Sequence, residues 1–435
     1  MILEGPYPER VDQNQRHHGS QDQPGRRTRD RGRTHRVVII GAGYAGLVAA
    51  TRLARQVRPD EVRITLVAET PYFLERPRLH QLAVGQSIAV VGLQEFLGSG
   101  IELVTGSVLR IDLVARRLLL KDTLDDEWSL SYHTLVYATG SNIDTASVPG
   151  VADHASSLTG RPAAHVLHQR LNRLDPAAPV LVCGGGLTGI ETAAEIAESY
   201  PKLRTRLVSA EPAGGWLSPA ARGYLDRTFD RLGIERIEGV RVTRVDQDRL
   251  RLDDELPRSG AAALDYRLCV WAAGFSVSEL ARRAGLTVNS AGRVIVDRSL
   301  ESVSHPGVYA IGDAAAVSGP WGDEIAMGCR SGGFTGPAVA DIIAARLTGR
   351  PAQQFSFRYL HECISLGRRH GLIQFLHADE SPTDVILTGR AAIAYKNTVL
   401  NTATFLFRHP GPVLPRRRRL VAPVVSSQTP ATPGG

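Results

Sequence analysis

The apolar positions of this 435-residue chain fall into short runs closed by glycine, and one such pattern occurs twice. After Arg36 come VVII, the turn GAGYAG, the helix-periodic stretch LVAATRLARQ and the run VRITLVAE. From Pro179 come VLVC, GGGLTG, IETAAEIAES and TRLVSAE. The apolar run of four reads as a strand, and the spacing after it predicts a helix. Each copy therefore reads as strand, turn, helix, strand, the start of a parallel βαβ unit. The copies lie about 140 residues apart, too far for a stacked repeat, so they mark two domains.

Each copy closes on a second glycine signature: LVYATGS at 135–141 and CVWAAGF at 269–275. A third element, VYAIGDAAAV at 308–317, comes after the second copy. This order predicts an α/β protein with two Rossmann-like domains, the first interrupted by the second. The first would take 36–150 and 297–350, and the second 151–296. Short alternating runs within 351–408 (FSFRY, CISLG, LIQF) predict strands, and then a helical segment near 390–407, as a small α+β interface domain. Residues 1–35 and 409–435 have too few apolar residues, or too many prolines, to fold, and are expected to be disordered tails. A start codon further along is the alternative for residues 1–35.

The turns carry the chemistry. Gly41 permits the tight turn after the strand, Gly43 lets backbone approach a pyrophosphate, and Gly46 lets the helix pack against the strand. Gly184, Gly186 and Gly189 repeat the arrangement. In each, the first helical turn, with Tyr44 and Ala45 or Leu187 and Thr188, offers unpaired N–H groups and a positive dipole end to phosphate. The acid that binds a ribose normally ends the second strand. That place holds Ala68, leaving Glu69 to reach from one residue on. In the second copy it holds Ser209, with Glu211 two places later and Arg206 nearby, which leaves both NADH and NADPH open.

The formal charge of +7 invites a nucleic-acid reading, which its location removes. Residues 1–36 hold eight arginines against five acids, and residues 408–435 hold five arginines and no acid. The stretch between them sums to −1, so the basicity sits in the tails and no nucleic acid is expected. The run Arg416–Arg419 is a candidate for anionic lipid, weighed against a solvated tail. Lysine is rare: Lys121, Lys202 and Lys396 are the only three. The four cysteines, Cys183, Cys269, Cys329 and Cys363, form no CxxC or CxxxxC pair, which argues against zinc and a local redox disulfide and suits a reducing cytosol. No metal site is expected. No apolar run approaches the ~20 residues that span a bilayer. The pair Arg26-Arg27 lacks the apolar stretch of an export signal. A cytoplasmic protein, at most peripheral to the inner face of the plasma membrane, is the expectation.

Taken together, GAGYAG, YATG, GGGLTGIE, WAAGF and YAIGDAA resemble the two-dinucleotide-binding-domain flavoproteins, most of all the type II NADH dehydrogenase branch, over about residues 36–405. The resemblance implies non-covalent FAD in the first domain and NADH or NADPH in the second. It assigns Asp313, beside Gly312, to the FAD ribityl chain. Thr139 and Gly140 are placed at the FAD phosphates or ribose, and Gly274 at the nicotinamide site. The segment YFLERPRLHQLAVG at 72–85 resembles the family's flavin-side loop, with Pro77 in a matching place and Arg76, Arg78 and His80 as groups facing flavin or acceptor. An ion pair with Glu75 is the plainer role for either arginine. Glu191 would stand near the nicotinamide and flavin rings as a proton relay, against the plainer role of complementing a helix N-terminus. The chain departs from quinone-reducing relatives after the GD motif, where EIAMGCRSGGFTG lacks their glutamines. The expected activity is hydride transfer from NAD(P)H to flavin and then to an acceptor, a quinone by resemblance. The rivals are a soluble reductase of a small redox protein or tailoring oxygenase, and a slow-turnover flavin-binding interaction protein. A homodimer is the candidate assembly.

Overall fold

A computed structural model describes residues 34–254, 260–411 and 417–421. The chain divides into two units, Met1–Thr34 and His35–Gly435. The second unit carries both sheets and the site; of the expected N-terminal tail, residues 1–33 lie outside the described residues and His35 begins the first strand.

Both predicted βαβ units are present, and each builds a five-stranded parallel sheet. In the first, the strand order is Val308–Ala310, Thr134–Tyr137, His35–Ile40, Val62–Ala68 and Ile101–Thr105. The second runs Ser156–Ser157, Leu268–Trp271, Pro179–Cys183, Arg204–Ser209 and Glu235–Glu238. The strand before each glycine turn is central, so both its neighbours and both its faces exclude water. Val37, Ile39, Val180 and Val182 are fully buried accordingly. Each sheet also carries a three-stranded antiparallel sheet, Ser107–Asp112 with Arg117–Lys121 and Glu127–Ser131, and Val242–Val245 with Arg249–Leu252 and Ala263–Asp265. The strand at 308–310 pairs with Thr134–Tyr137, which returns the chain to the first sheet after the second is complete.

One strand pairing links the two glycine turns, and one helix crossing packs the first of them. Ser141–Ile143, directly after the ATG turn, pairs antiparallel with Phe275–Val277, directly after the AAG turn. The helix Cys329–Leu347 crosses Tyr44–Ala54 at a distance only glycine allows. A Cβ on Gly336 would lie 2.5 Å from the Ala45 carbonyl oxygen and 2.4 Å from Val48 Cγ1. Arg52 holds the same crossing from outside through a bidentate pair with Asp341, at 2.8 and 2.7 Å.

The C-terminal segment needs two corrections. FSFRY is not a strand. Phe357 and Tyr359 are buried in alternation, but the backbone finds no neighbour to ladder with and makes single bonds, Phe355 N–H to Arg298 O and Tyr359 N–H to Ala378 O. The strands are His361–Ser365, Gly371–Leu376 and Pro382–Thr388, and the helix Gly389–Arg408 comes after them. Residues 417–421, expected to be disordered, lie along the first domain instead. Arg418 bridges Val57 and bonds Gln56 O, and the Val421 N–H bonds Leu347 O. Leu347 ends its helix and Gln56 lies just past another, so the returning segment supplies donors where helical bonding stops.

Candidate active site

The glycines show which positions serve the fold and which face a ligand. Gly41 has φ +101°, and a Cβ there would sit 2.2 Å from the Ala138 carbonyl oxygen. On Gly46 it would sit 1.9 Å from the Gly41 oxygen. The second turn is the same: Gly184 has φ +124°, and Gly189 faces the Gly184 oxygen at 1.8 Å. The middle glycines differ. At Gly43 and at Gly186 a Cβ would meet no atom within 4 Å, and both backbones are extended. Each turn is thus a cradle whose central position opens on empty space at a helix N-terminus. This fits a bound pyrophosphate in both domains.

Around the first cradle the chain gathers polar groups from four distant segments. The carboxylate of Asp313 accepts from Ser141 Oγ at 2.7 Å, Gly328 N at 2.7 Å and Ser331 Oγ at 2.8 Å. Arg76 is exposed toward this region and donates to Ser141 O at 2.7 Å and Asn142 Oδ1 at 3.2 Å. Its expected plain partner, Glu75, pairs with Arg78 at 2.8 Å. Thr139 Oγ1 is buried with no hydrogen-bond partner among the described residues, beside the open, left-handed Gly140 (φ +68°), so the ATG turn has a hydroxyl to offer a ligand. Gly312 N bonds Thr335 Oγ1 at 3.0 Å. Pro77 is the second residue of the short 3₁₀ turn Arg76–Arg78. Tyr44 starts the helix with its ring 5.1 Å from Phe73 and 5.6 Å from Phe407. Ala45 is buried under Gly312 and Gly332. Glu69 comes after Ala68 as an exposed residue.

At the second cradle, Leu187 and Thr188 form the half-buried helix start. Ser209 is buried, donates to Glu211 O at 2.7 Å and lies against Gly185. Gly274 (φ +75°) accepts from Asp144 N at 3.2 Å. Arg206 is held by Glu235 at 2.7 Å.

Glu191 is buried on the helix Leu187–Ser199 that opens at the second cradle, and is 7% exposed. It is a salt-bridge partner of Lys396, accepts from the Ser365 N–H at 2.8 Å and lies 3.6 Å from His80 Nδ1. Burial alone would push its carboxyl up, but the Lys396 ammonium and the hydrogen bonds from Lys396 and the Ser365 N–H hold it below the usual carboxylate range. Burial lowers His80 to about 4, with Lys396 and Arg78 adding to the effect against Glu191, so its ring is neutral at physiological pH. Its Nε2 is buried and has no hydrogen-bond partner among the described residues. A neutral imidazole with one free nitrogen, beside a buried carboxylate–ammonium pair, can hand a proton to or take one from a bound molecule.

Sequence reasoning placed Glu191 and His80 in this region but missed Lys396, Ser141, Ser331 and Arg293. The guanidinium of Arg293 is buried and binds the carbonyls of Asp313, Ala315 and Ile325 while pairing with Glu324 at 2.9 Å. It pins the backbone that presents Asp313. Lys396 had a signal: one of three lysines in so arginine-rich a chain, on a predicted helix. Cys183 and Cys269 are buried on neighbouring strands with sulfurs 3.8 Å apart. The Cys329 side chain lies outside the described residues.

Two parallel sheets with paired nucleotide cradles define a pyridine-nucleotide flavoprotein. The chain belongs to the pyridine nucleotide-disulphide oxidoreductase family, which matches residues 35–336. Within it, the chain is an NAD(P)H oxidoreductase of the type II NADH dehydrogenase-like branch. It is 32% identical over 374 residues to a type II NADH:quinone oxidoreductase of Mycobacterium tuberculosis, covering 75% of this chain and 76% of that protein. It is 26% identical to a demethylphylloquinone reductase of Synechocystis, covering 83% and 92%. The fold is similar to that of NDH2 of Plasmodium falciparum in complex with NADH, with TM-score 0.73, 14% identity and 89% and 100% coverage.

Proposed function

We propose that FAD lies in the first cradle and NADH in the second, and that the protein is an NADH:quinone oxidoreductase. The observation that carries this reading is the pair of open central glycines, Gly43 and Gly186, in turns tied together through Ser141–Ile143 and Phe275–Val277. When bound, the flavin supplies the hydride and electron chemistry between donor and acceptor. Gly43 and the N–H groups beside it would receive the FAD pyrophosphate, and Thr139, Arg76 and Asp313 its sugar and ribityl hydroxyls. Gly186 and the start of its helix would receive the nicotinamide dinucleotide. NADH is favoured over NADPH because Arg206, on the strand that ends at Ser209, is taken up by Glu235. His80 Nε2 and Lys396 would orient the acceptor oxygens and exchange protons with them, with Glu191 holding both groups in place. A quinone acceptor is supported by the activities of the mycobacterial and cyanobacterial relatives. Among the described residues no helix is long and apolar enough to cross a membrane. We place the protein in the cytoplasm, at most peripheral to the membrane.

Stopped-flow mixing with NADH and NADPH in parallel, and then with a panel of acceptors, tests the reading. Fast flavin bleaching by NADH and reoxidation by a soluble quinone are expected. Bleaching without a quinone response would replace the quinone by a protein acceptor, and failure to bleach would overturn the dehydrogenase reading. Gly186→Val should keep its flavin, since the position touches no protein atom. Its NADH requirement should rise at least about tenfold, or about 1.4 kcal/mol of binding. A titration of flavin bleaching against NADH measures it, and loss of flavin instead would reverse the order of the two domains.

A further inference from the structure

Reduction of a quinone by NADH consumes one proton from water: NADH, quinone and H⁺ give NAD⁺ and hydroquinone. The groups placed at the acceptor are sealed from solvent, with His80, Glu191 and Lys396 exposed by 3, 7 and 8%. A proton must reach them through the protein. The helix Leu187–Ser199 supplies a row of acids that extends beyond Glu191 toward the surface. Glu191, Glu195 and Glu198 are spaced i, i+4, i+7, which places them on one helix face over about 10 Å of rise. Glu195 is fully buried. One of its oxygens accepts from Gln86 Nε2 at 2.8 Å, and the other, Oε1, is buried with no hydrogen-bond partner among the described residues. Glu198, half-buried at the outer end, accepts from the Arg368 N–H at 2.5 Å.

We propose that Glu195 is the relay residue that carries this proton from the solvent end of the helix at Glu198 to the Glu191–Lys396–His80 cluster. The inference rests on the acceptor being one that takes up protons. Glu195 in its acid form gives its proton toward Glu191 and is reprotonated from water past Glu198, so it is unchanged over the cycle. Acting through Glu191, it is a positioning and relay group and does not itself touch the acceptor. The groups that face it are Glu191 and Glu198 on its own helix, Arg368 after the strand His361–Ser365, and uncharged Gln86 from the flavin-side loop. Burial, then the negative charge of Glu198 and of Glu191, raise its carboxyl to about 7 against the opposing Arg368 and Gln86. It can therefore hold or release a proton near neutral pH. An oxygen without a partner is also what a protonated carboxyl needs to pass its hydrogen on.

The experiment compares wild type with Glu195→Gln and Glu195→Asp as flavin-loaded full chains. Two acceptors are used: a soluble quinone, which takes up protons, and ferricyanide, which takes only electrons. For Glu195→Gln the quinone-to-ferricyanide rate ratio should fall about tenfold or more above pH 7, and Glu195→Asp should recover part of it. A second measurement is independent of turnover. Infrared difference spectra across pH 5–9 should show a protonated-carboxyl band in wild type that is lost in Glu195→Gln. Thermal melts add a third. A carboxyl raised in the native state stabilises at low pH, and that contribution is lost as pH rises from about 4.5 to about 7. The decline should be present in wild type and reduced in the Gln variant. An unchanged acceptor ratio, an equal fall with both acceptors, or a carboxyl band that persists in Glu195→Gln would each overturn the proposal. If wild type reduces ferricyanide and no quinone, the acceptor reading has failed, and the relay falls with it for that separate reason.

Discussion

A Gly43→Val protein is expected to fold and to purify without flavin. Gly43 has φ −74° and ψ −168°, an extended conformation that valine adopts without strain. Its Cβ would meet nothing within 4 Å, so the native packing is untouched and stability should stay within about 0.5 kcal/mol of wild type. The same empty space is where a pyrophosphate must approach backbone N–H groups, and an isopropyl group there displaces it. The measurement is flavin absorbance per protein together with the urea midpoint. Gly46→Ala is the contrast. Its Cβ would sit 1.9 Å from the Gly41 carbonyl oxygen, so the helix must move off the strand. That variant should lose about 1–3 kcal/mol or more. A flavin-replete Gly43→Val protein would contradict the placement of the FAD site. An unfolded one would contradict the reading of Gly43 as a ligand-facing position.

Replacing Lys396 with Met should be the most damaging change outside the cradles. It leaves the Glu191 carboxylate buried with the Ser365 N–H and a neutral His80 as its remaining partners. Breaking a buried pair from one side costs about 3–5 kcal/mol, because the remaining charge has lost its compensation. Part of that cost is avoided if Glu191 takes a proton, since burial then acts on it with less opposition and its pKa rises. Stability of Lys396→Met should therefore improve as pH falls toward 5, when Glu191 is neutralised. Quinone turnover should fall with the loss of the ammonium. Glu191→Gln with Lys396→Met removes both charges and should cost well under the sum of the two single changes. Urea melts of the four proteins at pH 5 and pH 8 measure this coupling. Additive losses would show that the pair contributes nothing as a pair.

The parts of the site legible in the sequence are those a local pattern encodes. Gly41, Gly43 and Gly46 sit at spacings fixed by one strand–helix junction, and Asp313 sits in a short motif at one strand end. The element that closes the site is different in kind. Glu191 meets Lys396 across 205 residues of chain, and Asp313 meets Ser141 across 172. No periodicity links such pairs, because their approach depends on how sheets and helices stack and not on backbone geometry between neighbours. FSFRY shows the converse. Its alternation is real and its side chains are buried, yet a strand also needs a partner edge, which pattern alone cannot supply.

By itself, then, the sequence determined two parallel sheets, their glycine cradles, the return of the chain at 308–317 and the family they define. These come from buried runs and from turns that glycine alone can make. Only the tertiary structure decided which charges compensate one another in the interior. It set Lys396 on Glu191, turned Arg76 to Ser141 rather than Glu75, and drew residues 417–421 onto the first domain. Burial makes an uncompensated charge or carbonyl costly, and the partner that relieves it comes from whichever distant segment packing brings near.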